Sequence, residues 1–228
     1  MGSDQVWRPM YNKGVLEDMF FAFAESVKCP KLSYAASFGT DEWEYDDMQT
    51  IKCKELIAEF DKVSVREPSG SLLCKEHLGV NAVQVLDPTL LLDKLDYINL
   101  INGTPRLCNK PFLAAYVLDI DQTLKSKIMQ KAKELRLEPI IFSADNGAVL
   151  TMEQWLSIFR DAEYIFTDSF HGSVFSYIFN KPFECVKNET RGASRFKVIE
   201  DLLASDNIEA KRKQSINYLK SIYELSKS

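Results

Sequence analysis

Residues 162–186, AEYIFTDSFHGSVFSYIFNKPFECV, contain two short apolar runs separated by a helical stretch. The runs AEYIFTD (162–168) and PFECV (182–186) combine aromatic and β-branched residues, as buried strands do. Residues 171–180, between them, have the length and composition of a helix. A strand, a crossover helix and a second strand in succession predict a parallel β-sheet.

The same alternation extends towards the N-terminus. Further strands are predicted at LSYAAS (32–37), KVSVR (62–66), AVQVLD (82–87), PFLAAYVLD (111–119) and EPIIFSA (138–144). Further helices are predicted at 15–26, 48–60, 69–78, 123–136, 151–161, 195–204 and 209–226. Strands that alternate with helices favour an α/β fold with parallel sheets.

The alternation stops at residues 93–110, which are polar and contain Gly, Pro and Asn, the residues of loops. We therefore predict a linker there, between an N-terminal unit at 1–92 and a C-terminal unit at 111–206. A final helix is predicted at 207–228. The chain opens with MGSDQVW, which resembles a strand-to-helix turn without its strand. We expect the N-terminal unit to be truncated.

Composition excludes several classes of partner. The formal net charge is −5 and no long basic run is present, which disfavours binding to nucleic acid. The five cysteines are scattered without a C-x-x-C pair, so neither a zinc site nor a disulfide framework is indicated. They fit a reducing cytosol. No apolar stretch approaches the ~20 residues that span a bilayer, so we expect no integral membrane segment.

Polar residues collect where the predicted strands end. The stretches are GSDQ (2–5), SFGT (37–40), REPSGS (66–71), SADNG (143–147) and TDSFHGS (167–173). Open parallel sheets bind ligands at the carboxyl ends of their strands. Turn chemistry explains most of the Gly, Ser and Asp residues. It does not call for an arginine at a strand end or a histidine at a helix start.

Arg66 follows a predicted strand and precedes a helix that Ser69 could cap. Helix N-termini attract phosphate and carboxylate groups, and an arginine beside one would strengthen such a site. The alternative is an ordinary ion pair, such as one between Arg66 and Glu67. Both interpretations are open from the sequence.

His171 lies in the first turn of a predicted helix, where it is either a structural histidine or an acid/base group. Asp168 or Ser169 could cap the helix or orient the ring. Gly172 would let a ligand approach the backbone. His77, by contrast, precedes a glycine that would end its helix, and we predict a structural role for it.

Five blocks of sequence, in order, resemble the polysaccharide pyruvyl transferase family from residue 2 to about residue 204. They are GSDQVW (2–7), YAASFG (34–39), VSVREPSG (63–70), VLDPTLLL (85–92) and FTDSFHGSVFSYIFNKPF (166–183). The resemblance implies a GT-B-like fold, with two Rossmann-like units facing a cleft. It implies phosphoenolpyruvate as the donor substrate, without a metal or redox cofactor. The product would be a pyruvate ketal on two hydroxyls of a cell-surface polysaccharide or its lipid-linked precursor.

The resemblance also assigns roles. His171 matches the catalytic histidine, Arg66 an arginine that holds the donor, and Asp4 an acidic residue near the cleft. Arg195 matches a basic position after the last strand. The remaining predicted substrate-binding residues are Ser3, Gly39, Ser169 and Gly172.

One position departs from the family pattern. Some members read Arg-Leu-His where this chain reads Ser169-Phe170-His171. We expect Arg191, Arg195 or Lys187 to replace the missing arginine. Otherwise the chain uses a different donor, or none.

Two other functions are compatible with the sequence. A truncated or inactive relative would act as a binding module, and a GT-B glycosyltransferase would use a nucleotide-sugar, because fold does not fix function. We predict a cytoplasmic enzyme. A lipid-linked acceptor would add peripheral association with the inner face of the membrane.

Overall fold

The computed structural model describes residues 2–143, 150–186 and 208–225. They form two compact units, one containing residues 2–91 and 208–225, the other residues 92–143 and 150–186. The α-helices are α1 (Asp47–Ile57), α2 (Pro68–Leu73), α3 (Lys94–Leu100), α4 (Gln122–Leu135), α5 (Met152–Asp161), α6 (Phe170–Ile178) and α7 (Ile208–Leu225). The strands are β1 (Ser64–Val65), β2 (Val83–Gln84), β3 (Phe112–Tyr116), β4 (Glu138–Phe142), β5 (Tyr164–Thr167) and β6 (Phe183–Cys185).

The second unit contains a four-stranded parallel sheet in the order β4-β3-β5-β6. Helices α4, α5 and α6 connect its successive strands. All five residues of β3 are buried, as expected for a central strand covered on both faces. The opening stretch 162–186 forms β5, α6 and β6 as predicted. The α/β class with parallel sheets is confirmed, and this unit is consistent with a Rossmann-like arrangement.

The first unit has shorter regular strands than predicted. β1 and β2 pair in parallel, and isolated parallel bridges join Asp4 to Ala36 and Ala36 to Val65. The predicted strand at 32–37 is interrupted because Ala35 has a left-handed backbone with φ +55°. Four chain segments nevertheless lie side by side in parallel, so their carboxyl ends share one edge.

The predicted helix at 15–26 differs from the structure. The chain forms two 3₁₀ turns there, Glu17–Phe20 and Ala22–Ala24, separated by Phe21 at φ +65°. Phe20 inserts into the core and stacks on Trp7 with ring centroids 5.0 Å apart. Phe21 stacks on Phe60 at 5.3 Å. The backbone breaks at Phe21, and both successive aromatic rings pack on other rings of the first unit.

The predicted linker at 93–110 contains helix α3. Asp93 caps it by accepting hydrogen bonds from the N–H groups of Leu95 and Asp96. Tyr97 and Ile101 are buried, and the Tyr97 ring meets Phe175 edge-on at 5.1 Å. The segment is therefore part of the second unit. The helix predicted at 207–228 is α7, which belongs to the first unit.

Candidate functional site

The first unit brings charged residues together at the ends of its parallel segments. Arg66 and Glu67 follow β1, and Asp87 follows β2 and precedes a 3₁₀ turn at Pro88–Leu90. Asp4 lies at the bridge to Ala36. The convergence that the strand-end argument predicted is present here, with two carboxylates that the argument did not single out.

Arg66 is buried, with only 1% of its side chain exposed, and is surrounded by carboxylates. Its Nη1 lies 3.0 Å from Asp87 Oδ2 and its Nη2 lies 3.4 Å from Asp4 Oδ1. Its Nε lies 3.6 Å from Glu67 Oε2. The ion pair with Glu67 that the sequence left open is present, but it is buried and part of a larger network. Among these carboxylates Asp4 is the exposed one, with 70% of its side chain accessible.

Glu67 links this network to the turn after Ala36. Its Oε1 accepts hydrogen bonds from the backbone N–H of Phe38 at 2.8 Å and of Gly39 at 3.3 Å. Burial raises the pKa of Glu67, and the charge of Arg66 partly opposes that rise. The sequence signal for Glu67 was weak, because an acidic residue beside an arginine usually reflects a surface pair.

Gly39 serves this turn rather than presenting an open surface. Its φ is +71°, and an added Cβ would lie 2.6 Å from the side-chain nitrogen of Gln5. The positive φ favours glycine at this position, and an added Cβ would also displace the end of the Gln5 side chain. Because the N–H of Gly39 donates to Glu67, the structure gives this residue a role in holding the network, and its predicted contact with substrate stays a prediction.

Asp87 bridges Arg66 to the following turn. While Oδ2 accepts from Arg66, Oδ1 accepts hydrogen bonds from the hydroxyl of Thr89 at 2.7 Å and from its N–H at 3.1 Å. The motif Asp-Pro-Thr in VLDPTLLL is the sequence signal that could have identified it, since aspartate before proline commonly caps a turn.

Asp4 adopts a left-handed backbone with φ +74°, which is uncommon for a residue other than glycine. This conformation accompanies its bridge to Ala36, and its carboxylate lies beside Arg66. Ser3 precedes it and is partly buried. Asp4 and Arg66, both predicted site residues, are therefore neighbours in the first unit, and their roles towards a substrate stay predictions.

In the second unit, His171 lies in the first turn of α6, directly after β5. Ser169 is the N-cap, and its Oγ accepts a hydrogen bond from the Gly172 N–H at 3.3 Å. The His171 ring is partly exposed and meets the Phe170 ring edge-on at 5.3 Å. A partly exposed imidazole at the carboxyl end of a parallel strand is placed where ligands of such sheets bind.

The Asp168 carboxylate is bonded to the loop that follows β3. Its buried carboxylate accepts hydrogen bonds from the N–H groups of Leu118 at 2.7 Å and Asp119 at 3.3 Å. The helix is capped by Ser169, while Asp168 fixes the loop after β3 to the end of β5. Two neighbouring strand ends are thereby tied together beside His171.

Gly172 allows the helix to pack closely on the strand. An added Cβ would lie 3.0 Å from Thr167 Cβ and closer still to its hydroxyl oxygen. That hydroxyl donates to the Tyr116 carbonyl at 2.6 Å and accepts from the Ser169 N–H at 3.1 Å. The glycine therefore makes room for Thr167, and its predicted contact with a ligand stays a prediction.

Arg195, and the alternatives Arg191 and Lys187, lie outside the described residues. Gly79 ends the helical turn that carries His77, as predicted, with φ +73°. The His77 ring stacks on Trp43 at 4.4 Å with 6° between the planes, a packing contact in the first unit.

Within the described ranges no group of three or more His, Cys, Asp or Glu side chains is arranged to hold a metal ion. Every helix in that part of the chain is too short or too polar to cross a membrane.

Comparison with known proteins shows a match between this chain and one protein family. A family model described as polysaccharide pyruvyl transferase matches residues 2–190, which include the Arg66 network and the His171 segment. Neither the comparison with curated proteins nor that with solved structures returned a match. Because the matched stretch covers well over half of the sequence, the chain belongs to the polysaccharide pyruvyl transferase family.

Proposed function

We propose that the protein transfers pyruvate from phosphoenolpyruvate to two hydroxyls of a sugar, forming a pyruvate ketal and releasing phosphate. The observation that carries the proposal is the position of His171. It occupies the first turn of α6, at the end of β5, within the stretch that matches the family. The sugar belongs to a cell-surface polysaccharide or a lipid-linked precursor.

His171 acts as the general acid and base. It delivers a proton to the methylene carbon of phosphoenolpyruvate, which leaves an oxocarbenium-like carbon that the first sugar hydroxyl attacks. The proton of that hydroxyl returns to the histidine. The second hydroxyl then attacks the same carbon, the bond to the phosphate oxygen breaks, and the leaving phosphate takes the second proton.

Arg66 binds an anionic group of the donor by exchange with Asp4. Asp87 and Glu67 are buried and contact the guanidinium from inside the unit, whereas Asp4, at 3.4 Å from Nη2, is exposed to solvent. A carboxylate or phosphate of the donor would replace Asp4 at Nη2 as a charge-assisted partner. The Asp4 carboxylate would then be available to accept a hydrogen bond from the sugar.

The other predicted residues have supporting roles. Arg195 supplies a second cation for the donor, in place of the arginine missing at Ser169. Ser169 caps the helix whose first backbone amides face the donor phosphate, an arrangement that favours anions. Ser3, Gly39 and Gly172 shape the backbone around these groups. The GT-B-like arrangement and the lipid-linked form of the acceptor remain predictions.

Calorimetric titration of the full chain tests the donor. Phosphoenolpyruvate should bind, and Arg66→Ala should weaken that binding at least tenfold, whereas Arg160→Ala, a matched change at a cation paired with its neighbour Asp161, should leave it unchanged. Binding of a nucleotide-sugar instead would indicate a glycosyltransferase. A folded chain that binds neither would indicate an inactive relative.

Turnover tests the histidine. Phosphate release from phosphoenolpyruvate is measured with a pool of galactose-, glucose- and mannose-containing oligosaccharides as acceptors. His171→Ala should reduce the rate by roughly 10²–10⁴-fold, the usual contribution of a positioned acid/base, with little change in unfolding free energy. His77→Ala is the matched control and should retain wild-type turnover. Normal turnover by His171→Ala would remove this residue from the mechanism.

A further inference from the structure

Helix α7 makes two polar contacts with the segment that carries Asp87. Ser215 is buried, and its Oγ accepts a hydrogen bond from the Leu86 N–H at 2.9 Å while donating to the Lys211 carbonyl at 2.8 Å. Three residues earlier, Arg212 Nε donates to the Leu90 carbonyl at 2.9 Å. Both contacts are made to backbone atoms, so they fix the path of the chain from 86 to 90.

Asp87 lies between these two anchors. The carbonyl of Leu86, the residue before it, accepts a hydrogen bond from the Tyr34 hydroxyl at 3.0 Å. The Oδ1 atom of Asp87 accepts hydrogen bonds from Thr89, and its Oδ2 atom lies 3.0 Å from Arg66 Nη1. Hydrogen bonds from α7 to Leu86 and Leu90, and the bond between Asp87 and Arg66, therefore connect the helix to the guanidinium through the backbone of the 86–90 turn.

We propose that α7 is a positioning element for the donor arginine, with Ser215 and Arg212 as positioning residues that act through Asp87 on Arg66. The inference rests on the proposed function, because it assumes that Arg66 binds the donor. Helix α7 begins after residue 190, where the match to the family ends. The role is thus assigned by geometry in this chain rather than by the match.

Charge-assisted hydrogen bonds weaken steeply as their distance and angle depart from the optimum. The buried guanidinium contacts three carboxylates, and Asp87, at 3.0 Å, is the nearest of them, so the position of Asp87 sets where Nη1 lies. Loss of an anchor would let the 86–90 turn relax, and Asp87 would then move relative to Arg66. Donor affinity should fall although neither positioning residue touches the donor.

The helix supplies matched controls. Ser221, on the same helix, accepts a hydrogen bond from Lys62 Nζ at 2.6 Å, away from the 86–90 turn. Ser221→Ala therefore removes the same hydroxyl as Ser215→Ala without touching the anchor. Lys213 is an exposed cation beside Arg212, so Lys213→Ala removes the same charge as Arg212→Ala.

Phosphoenolpyruvate affinity of the full chain is measured by calorimetry for the wild type, these four variants and Arg66→Ala. We expect Ser215→Ala and Arg212→Ala each to weaken binding about three- to tenfold, the range that the loss of one anchoring hydrogen bond allows. Ser221→Ala and Lys213→Ala should stay within about twofold of wild type. Arg212→Lys, which keeps a donor for the Leu90 carbonyl, should restore part of the affinity.

Each outcome separates the inference from the proposed function. If the wild type does not bind phosphoenolpyruvate, both are overturned. If it binds and Arg66→Ala abolishes binding while Arg212→Ala and Ser215→Ala bind normally, the positioning role alone is overturned. Equal weakening by the Ser221→Ala control would show general loosening of the helix and also overturn it. Should Ser215→Ala fail to fold, the partly exposed Arg212 carries the test with Lys213→Ala beside it.

Discussion

Replacing Gly172 with alanine should disturb the His171 segment without touching any charged group. The new methyl would lie 3.0 Å from Thr167 Cβ and 3.2 Å from its Cγ2, and closer still to the hydroxyl oxygen. Ordinary contacts between such atoms begin about 3.5 Å apart, so either α6 or Thr167 must move. Thr167 is fully buried and hydrogen-bonded to the Tyr116 carbonyl, which makes movement of the helix the easier response.

Two opposing effects determine how much Gly172→Ala changes the free energy of unfolding. Alanine gains up to about 0.5–1 kcal/mol over glycine in a helix interior, and less in the first turn where Gly172 lies. Overpacking a tightly filled site costs about 1–3 kcal/mol. The cost of overpacking should exceed the gain in helix propensity, so we expect the free energy of unfolding to fall by about 1–2 kcal/mol. The shift of the helix start would also move His171, and a displacement near 1 Å can cost about 10²-fold in rate.

Urea unfolding and phosphate release measure the two effects. Gly2→Ala is the control, because an added Cβ there meets no atom within 4 Å. A double-mutant cycle with Thr167→Ala isolates the clash, since Gly172→Ala should cost less once the threonine side chain is shortened. Wild-type stability and turnover in Gly172→Ala, or a cycle without coupling, would refute the proposed packing of α6 on β5.

Three further predictions concern buried groups. Burial raises the pKa of Glu67 above its usual value near 4.5, so its neutral form contributes stability that is lost as the pH rises through the raised pKa. In urea titrations, the unfolding free energy of the wild type minus that of Glu67→Gln should therefore fall as the pH rises above about 4.5, and a rising difference would contradict this. Asp168→Asn should lose one of the two hydrogen bonds from backbone N–H groups, and the free energy of unfolding should fall by about 1–3 kcal/mol in urea titrations. An unchanged free energy of unfolding would mean that other contacts hold the loop after β3. Burial raises the pKa of Tyr34 to about 12, so its hydroxyl stays a donor to the Leu86 carbonyl, and Tyr34→Phe should cost about 1 kcal/mol at any pH below 10 or so.

The second unit follows the sequence closely because each signal there is local. Apolar runs become β3 to β6, and the stretches between them become helices with side-chain caps at Asp121, Thr151 and Ser169. The periodicity of 2 or 3.6 residues and the capping residue are read directly from neighbouring positions. Burial on both faces of the sheet then favours the same arrangement as the local preferences.

The first unit departs from the sequence where contacts between distant residues decide the backbone. Ala35 and Phe21 adopt left-handed conformations that neither residue type favours by itself. The Ala35 N–H donates to the Ser64 hydroxyl at 3.1 Å, and Phe21 stacks on Phe60. Those partners lie far along the chain, so no window of sequence around either residue contains the reason for its conformation.

The candidate site shows the same division at the level of side chains. The rule that ligands bind at strand ends pointed to the stretches that contain Asp4 and Arg66, and these two side chains are neighbours in the structure. It could not show that Asp87 and Glu67 already hold the guanidinium from the buried side. That arrangement depends on which carboxylates are buried, and burial is a property of the folded unit.

Ser169 illustrates why a missing arginine need not mean a missing donor site. Its hydroxyl caps α6, and its N–H and carbonyl are bonded to Thr167 and Ser173, so the serine sets the start of the helix that carries His171. A serine cap is worth about 0.5–2 kcal/mol, whereas an arginine at this place would give up the cap and put a cation against the positive end of the helix dipole. With serine at this position, the chain lacks a cation there, and the serine cap fixes the start of the helix that carries His171. Under the proposed function, the cations that bind the donor would lie on other elements, and Arg66, beside buried carboxylates at the end of β1, would be one of them.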